Sequence, residues 1–426
     1  MTSRDRPAIG PFGRKNRAPG APRIYLHIGE PKTGTSFLQH VLWNNRARLA
    51  AQGVVLPGYS HQDHNRASRD VRQARREASD PADPWAGEWD VLTGQALLAR
   101  GAAVISDEIL AACNPPQADR AVRSLLPAEV HLVLTVRDFA SLLPAEWQER
   151  VKCRDTVPWE QWLDGVVEAA PAADRRRRSW FWTVHDTLAI LGMWSRHIPP
   201  DHVHVITLPP RGQSELLWAR FASVLGIDPA IADLAGARVN PSLGLAEAEF
   251  LRRLNEALPQ DVPYWFYTRG IKRILALDLL TARPPQLRLA LPPGREAWAR
   301  EQAEILVAGL RDAKYHIVGD LGELLPRPVT GPYVGPAGQP PGQLADAAVH
   351  ATAALMHRLY LDQTQPARPR WPRPGGPKQM LSLAEWAVLN GPWTRRALRK
   401  ASHLAAVRRL RVTIWRVLMH PARHRR

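Results

Sequence analysis

The stretch GEPKTGTS, Gly29 to Ser36, decides how the rest of the chain is read. Before it, Ile24, Leu26 and Ile28 alternate with Tyr25 and His27, the period of a strand. After it, Leu38, Val41, Leu42 and Leu49 recur at helical spacing. The order is therefore strand, glycine loop, helix. Gly29 and Gly34 permit a tight turn, and backbone N–H groups at the turn and the helix start converge on a point where an anion is stabilised.

The loop departs from the nucleotide-triphosphatase pattern G-x-x-x-x-G-K-[ST]. The glycines and Ser36 fit, but Thr35 holds the lysine position and Lys32 lies three residues earlier. Phosphoryl transfer from ATP uses that terminal lysine together with Mg²⁺ and a supporting acid, and no clear acidic partner motif follows. A lysine inside the loop can instead lie against the oxygen that bridges a donor's phosphate and its transferable group. By itself a Gly/Thr-rich turn is also compatible with ordinary helix capping by Thr35 or Ser36.

Residues Pro31, Lys32, Thr33, Gly34, Thr35 and Ser36 resemble the 5′-phosphosulfate loop of the sulfotransferase family. That resemblance implies an α/β fold: a parallel β-sheet flanked by helices in a P-loop NTPase-like sulfotransferase architecture. It also implies 3′-phosphoadenosine 5′-phosphosulfate (PAPS) as donor, with no metal needed for the transfer. It covers roughly Arg23 to Leu325.

Apolar runs at Val54–Leu56, Ala103–Ser106, Val130–Val136 and His202–Leu208 alternate with helical patterns such as Ala118–Leu126 and Glu215–Leu225, as in a parallel sheet covered by helices. Ligands of such sheets sit at the carboxyl ends of the strands. Asp107 and Glu108 follow AAVIS there, and Arg137 follows VHLVLTV. The resemblance implies Glu108 as the base that deprotonates an acceptor hydroxyl, with Asp107 as runner-up and His61, His64 and His185 as competitors. A capping role for the two acids is the plain alternative. The resemblance further implies that Arg137 binds the 3′-phosphate. The serine the family carries eight residues later is Ala145 here, so Ser141 is the candidate substitute. Ion pairing of Arg137 with Asp138 or Glu149 is the competing reading. Pro144 suits a first helical turn, which places a helix start near Ser141.

Of the net charge of +17, much lies in the last 32 residues: Arg395 to Arg426 hold eleven Lys and Arg and no acid. Leu404, Val407, Leu410, Ile414 and Leu418 recur on one helical face there, beside Arg408, Arg409, Arg411 and Arg416. The pattern fits an anionic membrane surface, or docking on the domain or on a second subunit, with nucleic acid not expected as a partner. Arg175 to Arg178 precede Trp180, Phe181 and Trp182, a basic and aromatic run that reads as a solvated face or a ligand contact. Asn240, Pro241 and Ser242 read as the start of a helix.

Cys113 and Cys153 suggest neither a disulfide framework nor a zinc ladder, and no export signal or 18-residue apolar run is visible, so a cytoplasmic protein, peripheral on the membrane at most, is expected. Three regions are expected: a basic disordered segment at 1–22, the catalytic domain at 23–325, and Pro-rich linkers with a helical tail at 326–426. The linkers fall at Pro326–Gly342 and Gln365–Pro377. The acceptor is expected to be a hydroxyl, with a carbohydrate or glycolipid preferred. A P-loop kinase and a catalytically silent binding protein of the same fold are the alternatives.

Overall fold

The computed structural model describes residues 21–73, 85–169, 179–237, 242–283, 287–327, 333–364 and 405–419. Six parallel strands form one sheet in the order β2-β3-β1-β4-β5-β6. They are β1 (Arg23–His27), β2 (Val54–Val55), β3 (Ala102–Ser106), β4 (Glu129–Val136), β5 (Val203–Thr207) and β6 (His316–Val318). The α/β expectation is met, with helices on both faces and a largely helical C-terminal part.

Side-chain alternation along β1 explains the layers. Tyr25 joins Val104, Val133 and Ile206 on one face, covered by Leu38, Val41 and Leu42 of the helix Thr35–Asn44 and by Trp218 and Phe221 of the helix Ser214–Leu225. Ile24 and Leu26 join Ile105, Leu132 and Leu134 on the other, covered by helices that contribute Trp89, Val122, Leu143 and Trp147. Both faces being buried, the strands read as nearly continuous apolar runs.

The register places β1 between β3 and β4, with His27 opposite Ser106 and Val133. The chain leaves β1 toward β2 and β3 on one side and later builds β4 to β6 on the other. A crevice opens where such a sheet changes direction, and the glycine loop leaves the sheet at that place.

The helix after β4 runs Phe139–Lys152, two residues earlier than Pro144 suggested. Asp138 is its cap, accepting from the Ser141 N–H at 2.8 Å, so the first turn is fixed before the proline is reached. Asn240 and Pro241 lie outside the described residues; the helix they were expected to open runs Leu245–Ala257.

Among the described residues beyond 325, three segments contact the domain. Trp159 Nε1 donates to the Tyr333 hydroxyl at 3.2 Å, and Ala351 of the helix Pro341–Thr364 is buried. The helix Ala405–Met419 lies against the helix Glu88–Ala96: Arg411 forms a bidentate pair with Glu88 (3.0 and 2.8 Å) and Arg408 lies 3.3 Å from Asp90. Trp415 is fully buried and donates to the Gly58 carbonyl at 3.2 Å. The docked face thus runs through Arg408, Arg411, Val412 and Trp415, whereas Leu410 of the expected apolar stripe is exposed. Among the described residues no helix is long and apolar enough to cross a membrane. Residues 1–20, Arg175–Arg178, Gln365–Pro377 and Leu404 lie outside the described residues.

Candidate functional site

The loop is pinned to the end of β4. Glu30 N–H donates to the Thr135 carbonyl at 3.0 Å, Thr135 N–H donates to the Gly29 carbonyl at 2.6 Å, and the Thr135 hydroxyl reaches the same carbonyl at 3.0 Å. Thr33 is fully buried, its hydroxyl donating to the Glu30 carbonyl at 2.5 Å. Thr33 and Thr35 therefore point inward, while Pro31, Lys32, Gly34 and Ser36 are half-exposed and form the rim.

Gly34 caps the following helix from the left-handed region (φ 88°), and no side chain caps that terminus. Capping by Thr35 or Ser36 is thus not what the residues do. A Cβ at Gly34 would meet Leu217 Cδ2 at 2.5 Å. Gly29 (φ 114°) is the other obligatory glycine: a Cβ there would lie 3.2 Å from Cα of Glu108. The first two strand ends are joined by a hydrogen bond from Asp107 N–H to the His27 carbonyl at 3.0 Å.

The third end joins through Arg137, whose Nη1 donates to the Lys32 carbonyl at 3.2 Å. Burial lowers its pKa, with Asp138 partly compensating. Neither expected competitor takes it as an ion pair: Asp138 caps its helix, and Glu149 is occupied by lysines. Lys32, at φ 61°, places Nζ 2.6 Å from Glu149 Oε2; Lys272 is 2.7 Å from Oε1 and Lys152 3.5 Å from Oε2. Burial alone would raise the Glu149 pKa, but the three ammonium groups hold it well below the usual carboxylate range. Three cations around one anion leave a net charge of +2 beside the loop rim.

Asp107 and Glu108 divide the work. Asp107 is buried and uses both oxygens, accepting from Ile109 N–H at 3.0 Å and Asn65 Nδ2 at 3.1 Å, so it caps the short 3₁₀ turn Glu108–Ala112. Burial, then the neighbouring Glu108 charge, pushes it up to about 7. Glu108 is half-buried and accepts from Gln39 Nε2 at 2.9 Å, a side chain on the helix that follows the loop.

The histidine competitors separate clearly. His64 is buried, lowered to about 4 chiefly by burial, and bridges the Pro57 carbonyl (2.9 Å) and Ser106 N–H (3.1 Å). His61 is exposed, with a pKa lowered by burial and by His40 and raised in part by Glu108. His185 is fully buried behind the loop. Its Nδ1 is 3.3 Å from Glu30 Oε2, and its Nε2 is 3.6 Å from Glu146 Oε2, an ion-pair distance beyond hydrogen-bond reach. Burial opposes its charge, yet Glu146 and Glu30 raise it to about 9. Thr187 donates to Glu30 Oε1.

The sequence reading did not assign Glu30, Gln39, Glu146, Lys152 or Lys272. A signal existed for some: Glu146, Glu149 and Lys152 recur at a spacing of three, hence on one side of the helix Phe139–Lys152.

Among solved structures the chain is similar to a crystal structure of a sulfotransferase from Alicyclobacillus acidocaldarius, at 15% sequence identity over 55% of this chain and 92% of that one, with a TM-score of 0.30. No protein-family model and no curated protein matches. A likeness of that size decides nothing about chemistry; the architecture stands on the six parallel strands themselves.

Proposed function

We propose that the chain is a PAPS-dependent sulfotransferase acting on an acceptor hydroxyl, with a carbohydrate or glycolipid preferred. The supporting observation is that one loop gathers the chemistry of three strand ends. Gly29 leaves no room for a Cβ beside Glu108, the Lys32 carbonyl holds Arg137, and the Lys32 ammonium pairs with Glu149 beside two further lysines. An uncapped helix terminus follows, suited to a phosphate.

In this reading the acceptor oxygen attacks sulfur in line as the bond from sulfur to the bridging phosphate oxygen breaks. The acceptor proton passes to Glu108, and the negative charge growing on the departing phosphate is met by Lys32 and loop N–H groups. Glu108 suits the base role better than Asp107, whose two oxygens already accept protein hydrogen bonds. Arg137, with Ser141 nearby in sequence, would hold the 3′-phosphate; its planar fork matches that group.

Adenosine 3′,5′-bisphosphate, the desulfated product, tests the donor assignment. It is expected to raise the melting temperature without Mg²⁺, and Arg137→Ala is expected to weaken its binding by about tenfold or more, the range for a charged hydrogen bond. Absence of binding to the native chain would sink the reading, and Mg²⁺-dependent ATP consumption would favour the kinase alternative. Binding without transfer to any acceptor would favour a silent binding protein.

The base is tested separately. Glu108→Gln is expected to abolish transfer while leaving bisphosphate affinity nearly unchanged. Retained turnover with a rate limb near pH 7 would instead mark Asp107, the group raised to about 7.

A further inference from the structure

At the opposite end of the strands from the loop, the amino ends of β4 and β5 bring Glu129, His131 and His202 together. Each offers one ligand atom, and the three atoms lie within 4.8 Å of one another. The loop follows His27, at the carboxyl end of β1, while Glu129 pairs with Arg23 at its beginning. The cluster is therefore separate from the proposed donor site, and nothing in that reading uses it.

We propose that Glu129, His131 and His202 form a binding site for one divalent transition-metal ion of the zinc class. Two imidazoles and a carboxylate match the preference of such ions for nitrogen and oxygen donors. His131 is buried, whereas Glu129 and His202 are half-buried at the rim, so an ion can enter from solvent. Metal–ligand bonds of about 2.0–2.2 Å put ligand atoms of a tetrahedral site roughly 3.4 Å apart. His131 Nε2 and Glu129 Oε1 are already 2.9 Å apart. The remaining closure falls on the side chains of Glu129 and His202, both at the rim.

The surroundings of His131 supply the second observation. Its ring lies face to face with Tyr25 at 4.8 Å and with His202 at 4.3 Å between centroids, so His202 has to turn about its side-chain bonds for both in-plane lone pairs to meet one ion. Its other nitrogen, Nδ1, is 2.9 Å from His204 Nε2, and His204 Nδ1 is 2.8 Å from His316 Nδ1. A carboxylate can only accept, so His131 Nε2 donates to Glu129, and among neutral rings each successive contact must then donate in the same direction.

A metal at Nε2 needs that lone pair. The Nε2 proton leaves to solvent, the proton of His204 Nε2 passes to His131 Nδ1, that of His316 Nδ1 passes to His204 Nδ1, and exposed His316 takes one from water at its other nitrogen. In either state each contact of the relay keeps one donor and one acceptor, and the relay fixes His131 as outer hydrogen bonds fix metal-bound histidines. Three protein ligands leave a fourth position for water. Bound there, the ion would tie the turn Pro200–His202 to β4.

Zinc titrated into the full-length chain without a histidine tag is expected to bind one ion per chain and to raise the melting temperature. His131→Ala and His202→Ala are each expected to weaken binding by at least about 100-fold, and His204→Ala by about tenfold, the effect of an outer contact. Cobalt substitution should give the visible absorption of a four- or five-coordinate ion, lost in His202→Ala. Lack of stoichiometric binding would overturn the site, as would binding that His202→Ala and Glu129→Gln leave unchanged. Those two residues lie at the rim, so the test holds even where His131→Ala does not fold.

Discussion

Glu30→Ala is expected to destabilise the fold by about 3 kcal/mol, because His185 and Thr187 each lose a hydrogen bond to a buried charged group while Glu146 remains as the counterion of His185. Glu30 is 1% exposed and His185 likewise, so water cannot replace the lost carboxylate. The imidazolium would face Glu146 alone, at 3.6 Å, and Thr187 would lose its acceptor. Urea melts of the native chain, Glu30→Ala, His185→Gln and the double variant measure this as a coupling energy. A cost below about 1 kcal/mol for Glu30→Ala would mean that His185 is neutral and the triad is not ionic.

The same triad sets a pH dependence. His185 is raised from 6.5 to about 9 in the fold, so its contribution is fully present below about pH 6.5 and is lost as pH rises toward 9. The displacement corresponds to about 3 kcal/mol. Glu146 is depressed despite its burial, because His185 and Lys32 favour its charge; its contribution is present above its ordinary pKa of 4.5 and is lost in acid. Asp107 acts in the same direction as His185 on the alkaline side, since a carboxyl raised from 3.8 to about 7 makes folding less favourable as pH rises through that interval. Burial holds His27 and His204 at about 3 and His64 at about 4, so their contribution is lost as pH falls below 6.5; stability should therefore peak near pH 6.5 and fall toward pH 9, and Glu30→Ala should flatten the alkaline limb.

What the sequence made legible was local. The loop, its displaced lysine and the strands β1 to β5 follow from apolar period and glycine placement within a few residues. The triad was hidden because its members are distant: Glu30 and His185 are 155 residues apart, and only the packing of the end of the helix Trp180–His185 behind the loop brings them together. Strand β6 was missed since three residues with an exposed histidine at the edge carry almost no period. In the tail the helix was legible but its docked face was not. Periodicity favoured Val407 and Leu410, yet burying the Trp415 indole and pairing Arg411 in a bidentate contact with Glu88 rotates the helix. Neither partner of those contacts is visible from the tail itself.

Lys32→Ala is expected to lower the rate of sulfuryl transfer by about 10²–10³-fold, the usual loss when one group that stabilises developing charge is removed. The substitution is informative because the native residue already sits at φ 61°, so alanine adds no new backbone strain and the change reports on the ammonium. That ammonium starts 2.6 Å from Glu149, which means donor binding must draw it away from a carboxylate shared with Lys152 and Lys272. Glu149→Gln should then act in the opposite sense on binding, tightening adenosine 3′,5′-bisphosphate several-fold by freeing all three lysines. It should also lower stability by about 2 kcal/mol, less than for a fully buried pair because the carboxylate is a quarter exposed. Weaker bisphosphate binding in Glu149→Gln would instead show that Glu149 aims Lys32 at the donor, and opposite signs for affinity and stability are what separate a competing carboxylate from an aiming one.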